Sequence, residues 1–104
     1  MLVQFNNAYL EKIFEGKPIS GKPRYSSEVG VKFKKTILKL KYADNLMEIK
    51  SLRGLNFEAL KGELKGFYSV RVDYSYRLLL TIDKKDVITV AEILIIHDLT
   101  NHYQ

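Results

Sequence analysis

A length of 104 residues fits a single compact domain, 1–104, and the absence of cysteine excludes a disulfide framework, a thiolate nucleophile and a cysteine-ligated zinc site. No apolar run approaches the roughly 20 residues that span a bilayer, so we expect a cytosolic protein without membrane contact. The formal net charge of +5 favours an acidic partner, and nucleic acid is the commonest of these.

The first 25 residues predict a short strand, a helix and a loop. Residues 1–5 are apolar enough for an edge strand, and Asn6 or Asn7 follows as a candidate helix cap. The apolar stripe of this first helix is then Ala8, Tyr9, Ile13 and Phe14. Residues 16–25 contain both prolines and therefore predict a loop.

A second, longer helix follows the loop, with Ser26 or Ser27 as its cap. Its apolar residues recur at spacings of three and four, namely Val29, Phe33, Ile37 and Leu40. Asp44 or Asn45 caps a further short helical piece, which continues through Ile49 and ends within residues 51–54.

After residue 55 the apolar pattern changes from the period of helices to that of strands. The predicted strands are residues 57–60, 67–72, 76–82 and 87–96. Residues 83–86 predict a polar turn, and Asp98 is the predicted cap of a short C-terminal helical turn. Helices followed by strands indicate an α+β domain, in which N-terminal helices pack on a mostly antiparallel sheet of four to five strands.

Charged residues concentrate on and between these strands. Alternation puts Tyr68, Val70 and Val72 on one face of their strand, and Ser69, Arg71 and Asp73 on the other. One carboxylate and four cations are then predicted to line adjacent strands: Glu58, Lys61, Lys65, Arg71 and Arg77. Such a set suits a polyanion backbone with a proton acceptor beside it.

The segment 58–80, the leading helices and the ending His97-Asp98-Leu99-Thr100-Asn101-His102-Tyr103 resemble the RelE superfamily of toxins from bacterial type II toxin-antitoxin systems. The HigB branch is nearest. HigB sequences carry a His-Pro-Leu-Lys-Gly-Asp-Leu-Lys-Gly-Phe-Trp-Ser-Val-type stretch, matched from Leu60 to Val72, and a Tyr-Arg-Leu-type strand, matched at Arg77. The first 55 residues match only in the order of their elements.

This resemblance implies a RelE-like fold and a ribosome-dependent endoribonuclease that cuts messenger RNA without a cofactor or metal. In the implied reaction a ribose 2′-hydroxyl attacks the neighbouring phosphate and leaves a 2′,3′-cyclic phosphate. Glu58 stands where many HigB sequences have histidine, but it matches the glutamate of the YoeB branch, which is the expected general base. Arg77 matches the arginine shared across the superfamily, and Lys61, Lys65 and Arg71 are expected to contact phosphates.

The proton donor is left open by the resemblance. His97 and Tyr103 keep the six-residue separation of RelE's late arginine and tyrosine, and His97 is a candidate acid like the late histidine of YoeB. His102 is a third candidate. The implied partners are the ribosome, messenger RNA and a cognate antitoxin, HigA-like or another acidic protein. No direct DNA binding is expected, because the chain has no helix-turn-helix pattern.

Other interpretations of the same residues are open. Glu58 is compatible with a surface pair to Lys61 or Lys65, and the two arginines with structural partners such as Asp73 or Glu92. A ParE-like gyrase poison shares the fold without being a nuclease. A catalytically inert RNA- or antitoxin-binding module would keep the cations and lack proton transfer.

Overall fold

The computed structural model describes residues 1–84 and 92–101, and it begins with a strand and a capped helix. Strand β1 (Leu2–Phe5) precedes helix α1 (Ala8–Glu15). Asn7 is the cap of this helix, since its side chain accepts a hydrogen bond from the Leu10 backbone N–H. The predicted stripe missed Leu10, whose side chain is the fully buried one in α1.

Two further helices follow, and both begin at predicted caps. Helix α2 (Ser27–Tyr42) begins after Ser26, and helix α3 (Leu46–Ser51) begins after Asn45. Each cap side chain accepts a backbone N–H from three residues ahead, as the first turn of a helix requires. The predicted apolar stripe of α2 is buried, which confirms its role as the face that packs on the sheet.

Within residues 1–84 and 92–101, five strands form one sheet in the order β1-β5-β4-β3-β2. The four later strands are β2 (Glu58–Ala59), β3 (Tyr68–Arg71), β4 (Arg77–Lys84) and β5 (Glu92–Thr100). They pair antiparallel in series, whereas β1 pairs parallel with β5 at the edge of the sheet. The predicted α+β class and mostly antiparallel sheet are confirmed.

The C-terminal part of the chain differs from the prediction. Asp83 lies in β4 and not in a turn, and Asp98 lies inside β5 and not at a helix cap. The reason is that β5 pairs with β4 as far as the Arg77–Thr100 pair, and this ladder satisfies the backbone groups that a helix would otherwise use. Asn101 lies in a bend, while residues 85–91 and 102–104 are outside the described residues.

The helices pack on one face of the sheet, and several of the predicted site residues lie on the opposite face. The core joins Phe33 and Ile37 of α2 to alternate residues of the strands, including Val70, Leu78 and Ile96. The opposite face, called the site face below, carries Glu58, Phe67, Ser69, Arg77, Thr81 and His97. Among residues 1–84 and 92–101, no helix combines the length and apolar character needed to cross a bilayer.

Candidate active site

Strand register brings Glu58 and Arg77 to the same face of the sheet. Glu58 on β2 lies opposite Ser69 on β3, and Arg77 on β4 lies opposite Arg71, two residues further along β3. Residues directly opposite each other point to the same side of a sheet, as do residues two apart on one strand. The predicted alternation along β3 is therefore confirmed, with Val70 buried in the core beneath the sheet.

Arg77 is a buried arginine that leans from its own strand toward β2. The residue is only 9% exposed. Nε donates to the Ser69 hydroxyl oxygen at 3.0 Å, and Nη2 donates to the Asn56 carbonyl oxygen at 2.9 Å. A buried guanidinium needs such acceptors because its charge would otherwise be costly to remove from water. These bonds aim the cation at the segment that carries Glu58.

Asn56 contacts both charged residues of this pair. Its side-chain nitrogen Nδ2 donates to Glu58 Oε1 at 3.2 Å, while its carbonyl oxygen accepts from Arg77. The backbone of Asn56 is left-handed, with φ 45° and ψ 58°, at the end of the short 3-10 turn Arg53–Leu55. Asparagine tolerates this conformation better than most residues. Sequence analysis missed Asn56, although an asparagine between a turn and a strand is the signal that points to it.

His97 lies at an irregularity in β5. Leu79 pairs with Asp98 and Leu80 pairs with Ile96, so His97 is the extra residue of a β-bulge. Bulges redirect side chains and are over-represented beside active sites. Alternation puts the imidazole on the site face, because the preceding Ile96 lies in the core, and the bulge then returns Leu99 to the core. On the site face the imidazole ring meets the Phe67 ring edge-on, with centroids 5.0 Å apart.

Both ring nitrogens of His97 have partners. Nε2 lies 2.7 Å from Thr81 Oγ1, and Nδ1 lies 3.3 Å from Asn6 Nδ2. Because an amide nitrogen only donates, Nδ1 accepts, and the ring proton of the neutral imidazole then sits on Nε2 and is donated to Thr81. Asn7 adds a third contact, from its Nδ2 to the His97 carbonyl oxygen at 3.1 Å. Sequence analysis did not single out Thr81.

The spacing of strands sets the size of the site. Glu58 on β2 and His97 on β5 are three strand spacings apart, which is roughly 14 Å between backbones at about 4.8 Å each. Arg77 lies on β4, between them. A substrate that reaches all three side chains must therefore lie across the strands.

Lys61 and Lys65 are exposed and lie between strands, where the predicted strand bounds of 57–60 and 67–72 also leave them. They flank the 3-10 turn Gly62–Leu64 in the connection between β2 and β3. Gly62 and Gly66 have φ values of 67° and 96°, which only glycine adopts readily, so the chain leaves the sheet between the two lysines. The connection nevertheless places both cations next to the strand that carries Glu58.

Arg71 is exposed at the end of β3, opposite Arg77 in the strand register. It lines an open cavity of about 270 Å³ together with Lys32, Val72, Asp73 and Tyr74. The Asp73 carboxylate stabilises the turn after β3, since it accepts hydrogen bonds from the backbone N–H groups of Ser75 and Tyr76. Arg71 and Lys32 thus place two cations at this end of the sheet.

Tyr103, the remaining predicted site residue, lies outside the described residues, as does His102. Within residues 1–84 and 92–101, no group of three or more histidine, aspartate or glutamate side chains is placed to hold a metal ion.

Tyr25 joins the loop before α2 to the end of β5. Its hydroxyl donates to the Leu99 carbonyl oxygen at 2.7 Å. Burial raises the pKa of Tyr25 above its ordinary value, and the negative charge of Asp98 raises this pKa further. Tyr25 therefore favours its neutral, hydrogen-bonded form.

Residues 3–93 match a family model named HigB-like toxin, described as the RelE-like toxin of type II toxin-antitoxin system HigB. No curated protein matches the sequence significantly.

Solved structures resemble the chain over almost its whole length. A YoeB/ParE toxin from Agrobacterium tumefaciens is 17% identical with a TM-score of 0.57, covering 99% of this chain and 100% of that one. A YoeB-YefM complex from Staphylococcus aureus gives 24% identity, a TM-score of 0.53 and 99% coverage of both chains. A YafQ mutant from E. coli is 13% identical with a TM-score of 0.53, covering 96% of this chain and 91% of that one. At these identities the likeness establishes the fold.

Proposed function

The chain belongs to the HigB-like family and is a RelE-like toxin of a type II toxin-antitoxin system, and we propose that it is a metal-independent, ribosome-dependent endoribonuclease that cleaves translated messenger RNA. The observation that carries this proposal is the placement of Glu58 and Arg77 on one face, joined through Asn56. A proton acceptor beside a fixed cation is what attack of a ribose hydroxyl on a phosphate requires. The proposed domain spans residues 1–104 and acts in the cytoplasm, where translation occurs.

Glu58 is the proposed general base and Arg77 the proposed phosphate ligand. Glu58 takes the proton of the ribose 2′-hydroxyl as O2′ bonds to phosphorus and the bond from phosphorus to O5′ breaks. Arg77 stabilises the negative charge that grows on the non-bridging oxygens. Because Ser69 and Asn56 already orient its guanidinium, little reorganisation is needed during the reaction. The products are a 2′,3′-cyclic phosphate and a 5′-hydroxyl end, and no water is consumed.

His97 is the proposed proton donor to the leaving O5′, and Tyr103 is the alternative donor. The position of His97 supports this role, since its ring lies on the same face as Glu58, three strands away. The donor must be the imidazolium, which returns to a neutral ring when it gives its proton to O5′. Nδ1 therefore gives up its contact with Asn6 to carry a proton, and Nε2 exchanges its bond to Thr81 for one to the leaving oxygen.

The exposed cations around the site are the proposed RNA contacts. Lys61, Lys65 and Arg71 would bind phosphates on either side of the cleaved bond. Contacts of this kind release condensed counterions, so RNA affinity should fall with rising salt. Loss of Glu58 should instead slow cleavage and leave this affinity unchanged.

The proposed partner in the resting cell is a cognate antitoxin, HigA-like or another acidic protein. The YoeB-YefM complex from Staphylococcus aureus supports it by analogy of fold. The net charge of +5 on this chain suits an acidic partner segment, since complementary charge accelerates association. We propose that the toxin itself does not contact DNA.

The test is expression of the wild type and of variants without antitoxin, followed by growth curves and mapping of messenger RNA 5′-ends. Wild type should cut inside translated codons, and Glu58→Gln should cut about 10²- to 10⁴-fold more slowly. Glu63→Gln is the matched control, because Glu63 is an exposed carboxylate in the neighbouring connection. Arg77→Ala should also lose cleavage.

Arg77 is buried, so its variants need a folding control. Circular dichroism of purified Arg77→Ala and Arg77→Lys separates loss of fold from loss of phosphate contact. Growth arrest with intact messages and DNA-damage signalling would replace the nuclease proposal by a ParE-like gyrase poison. No arrest at all would leave an inert binding module.

A further inference from the structure

Asn56 contacts both Glu58, the proposed general base, and Arg77, the proposed phosphate ligand. Asn56 bonds the Glu58 carboxylate through its side chain at 3.2 Å and the Arg77 guanidinium through its carbonyl oxygen at 2.9 Å. The two contacts come from opposite ends of a single residue. Asn56 therefore sets the position of the carboxylate relative to the cation.

Of these two contacts, only the one to the Glu58 carboxylate requires the asparagine side chain. A carboxylate oxygen only accepts hydrogen bonds, so the amide must present its nitrogen to Glu58. The contact to Arg77 uses the backbone, and any residue that keeps the left-handed conformation would preserve it. Ser69 holds the Nε of Arg77 independently of Asn56.

The geometry points to Asn56 as a positioning residue of the proposed endoribonuclease, which fixes the rotation of the Glu58 carboxylate for proton abstraction. This inference rests on the proposed function and assigns a role to a residue to which that function gives no RNA contact. Hydrogen bonds to charged groups are strong enough that losing this one should slow cleavage about 10- to 100-fold. Binding of RNA should be unaffected, because the RNA contacts lie on other residues.

Two substitutions remove the amide and keep the backbone. Asn56→Asp has the same shape and tolerates the left-handed conformation, but it offers an acceptor where Glu58 needs a donor. Asn56→Gly removes the side chain and fits φ 45° without strain. A purely structural or steric role for the side chain predicts that Asn56→Asp behaves like wild type.

The measurement is single-turnover cleavage of a messenger on programmed ribosomes, with the rate constant at saturating toxin and the half-saturating concentration fitted separately. Both variants should lower the rate constant about 10- to 100-fold and change the half-saturating concentration less than about twofold. Asn56→Asp should be the slower of the two, because its charge also repels Glu58.

A double-mutant cycle with Glu58→Gln distinguishes positioning from general damage. If Asn56 acts through Glu58, adding Asn56→Asp to Glu58→Gln should slow cleavage no further. The same fold-loss in both backgrounds, or wild-type rates in the Asn56 variants, would overturn the inference while leaving the proposed function standing. Absence of cleavage by the wild type would instead sink the proposed function, and this inference with it.

Discussion

At the scale of single residues, the chemical role of a side chain was easier to predict than its burial and its hydrogen-bond partners. Arg77 was predicted as a cation that contacts phosphate or an acidic residue, but burial and the bonds to Ser69 and Asn56 were not foreseen. These bonds depend on which residue faces which across β2, β3 and β4. Alternation within one strand predicts a face, whereas cross-strand partners follow only from the register.

His97 provides a prediction at this scale, because its ring is bonded on both sides. Removing the hydroxyl in Thr81→Val should release Nε2 while the imidazole stays on the site face beside Phe67. If His97 donates the proton to the leaving oxygen, Thr81→Val should keep cleavage within about threefold of wild type. His97→Gln should lower the rate about 10²- to 10⁴-fold.

The same pair of variants also shows whether His97 acts through its bond to Thr81 and not as the proton donor. Equal losses in Thr81→Val and His97→Gln would mean that the bond between the two residues matters and that proton donation lies elsewhere. Wild-type rates in His97→Gln would move the donor to Tyr103. Single-turnover rates on ribosomes report each of these outcomes.

At the scale of elements, the caps were predicted as adjacent pairs, and the structure chose one residue of each pair. Asn7, Ser26 and Asn45 are the chosen caps because their backbones are extended and their side chains reach the first turn. Asn7 does more than cap α1, since it also donates to the His97 carbonyl oxygen. It therefore links the first helix to the bulge that carries the candidate acid.

Asn7→Ala should be more destabilising than an ordinary cap deletion. Loss of the cap costs about 1 kcal/mol, and loss of the bond to β5 should add about 1 kcal/mol. Ser26→Ala, which removes a cap alone, is the matched control. Urea unfolding should show a free energy of unfolding about 2 kcal/mol lower for Asn7→Ala and about 1 kcal/mol lower for Ser26→Ala.

Asn7→Asp separates the two contributions, since it keeps the capping oxygen and removes the donor to His97. Its loss should be close to the difference between Asn7→Ala and Ser26→Ala. An Asn7→Ala variant no less stable than Ser26→Ala would show that the bond to β5 contributes nothing measurable.

The last strand shows why an element can be mispredicted. Asp98 has the side chain of a helix cap, and locally a cap was the reasonable prediction. In the fold, Asp98 is opposite Leu79 and its strand continues to Thr100 beside Arg77. Pairing along this length buries Leu99 in the core, which a helical turn at this point would not do.

At the scale of the whole molecule, stability in alkaline solution follows from Tyr25. Its pKa is raised by burial and then by Asp98, so the folded state holds the phenol proton more tightly than the unfolded chain does. This contribution is fully present below about pH 10, the ordinary pKa, and is lost as the pH rises through the raised pKa.

Tyr25→Phe should therefore be the less stable protein near neutral pH and should lose less stability on alkalinisation. Near neutrality it should lose about 1 kcal/mol, for the bond to the Leu99 carbonyl oxygen. The free energies of unfolding in urea should differ by a constant amount up to about pH 10 and converge in the interval above it, as the pH rises through the raised pKa of Tyr25. A constant difference between the two proteins over this interval would contradict the assignment to Tyr25, because the lysine titrations are common to both.

The sequence by itself determined the α+β class and the faces of α2 and β3, and it nominated Glu58 and Arg77 as candidate site residues, because each of these depends on local periodicity or on a motif. The tertiary structure alone decided which groups meet. The register of β2, β3 and β4 brought Arg77 to the Asn56 carbonyl oxygen, and the register of β4 and β5 brought the imidazole of His97 to Thr81. Both contacts join segments that are separate in the chain or in the sheet, so no spacing along the sequence encodes them.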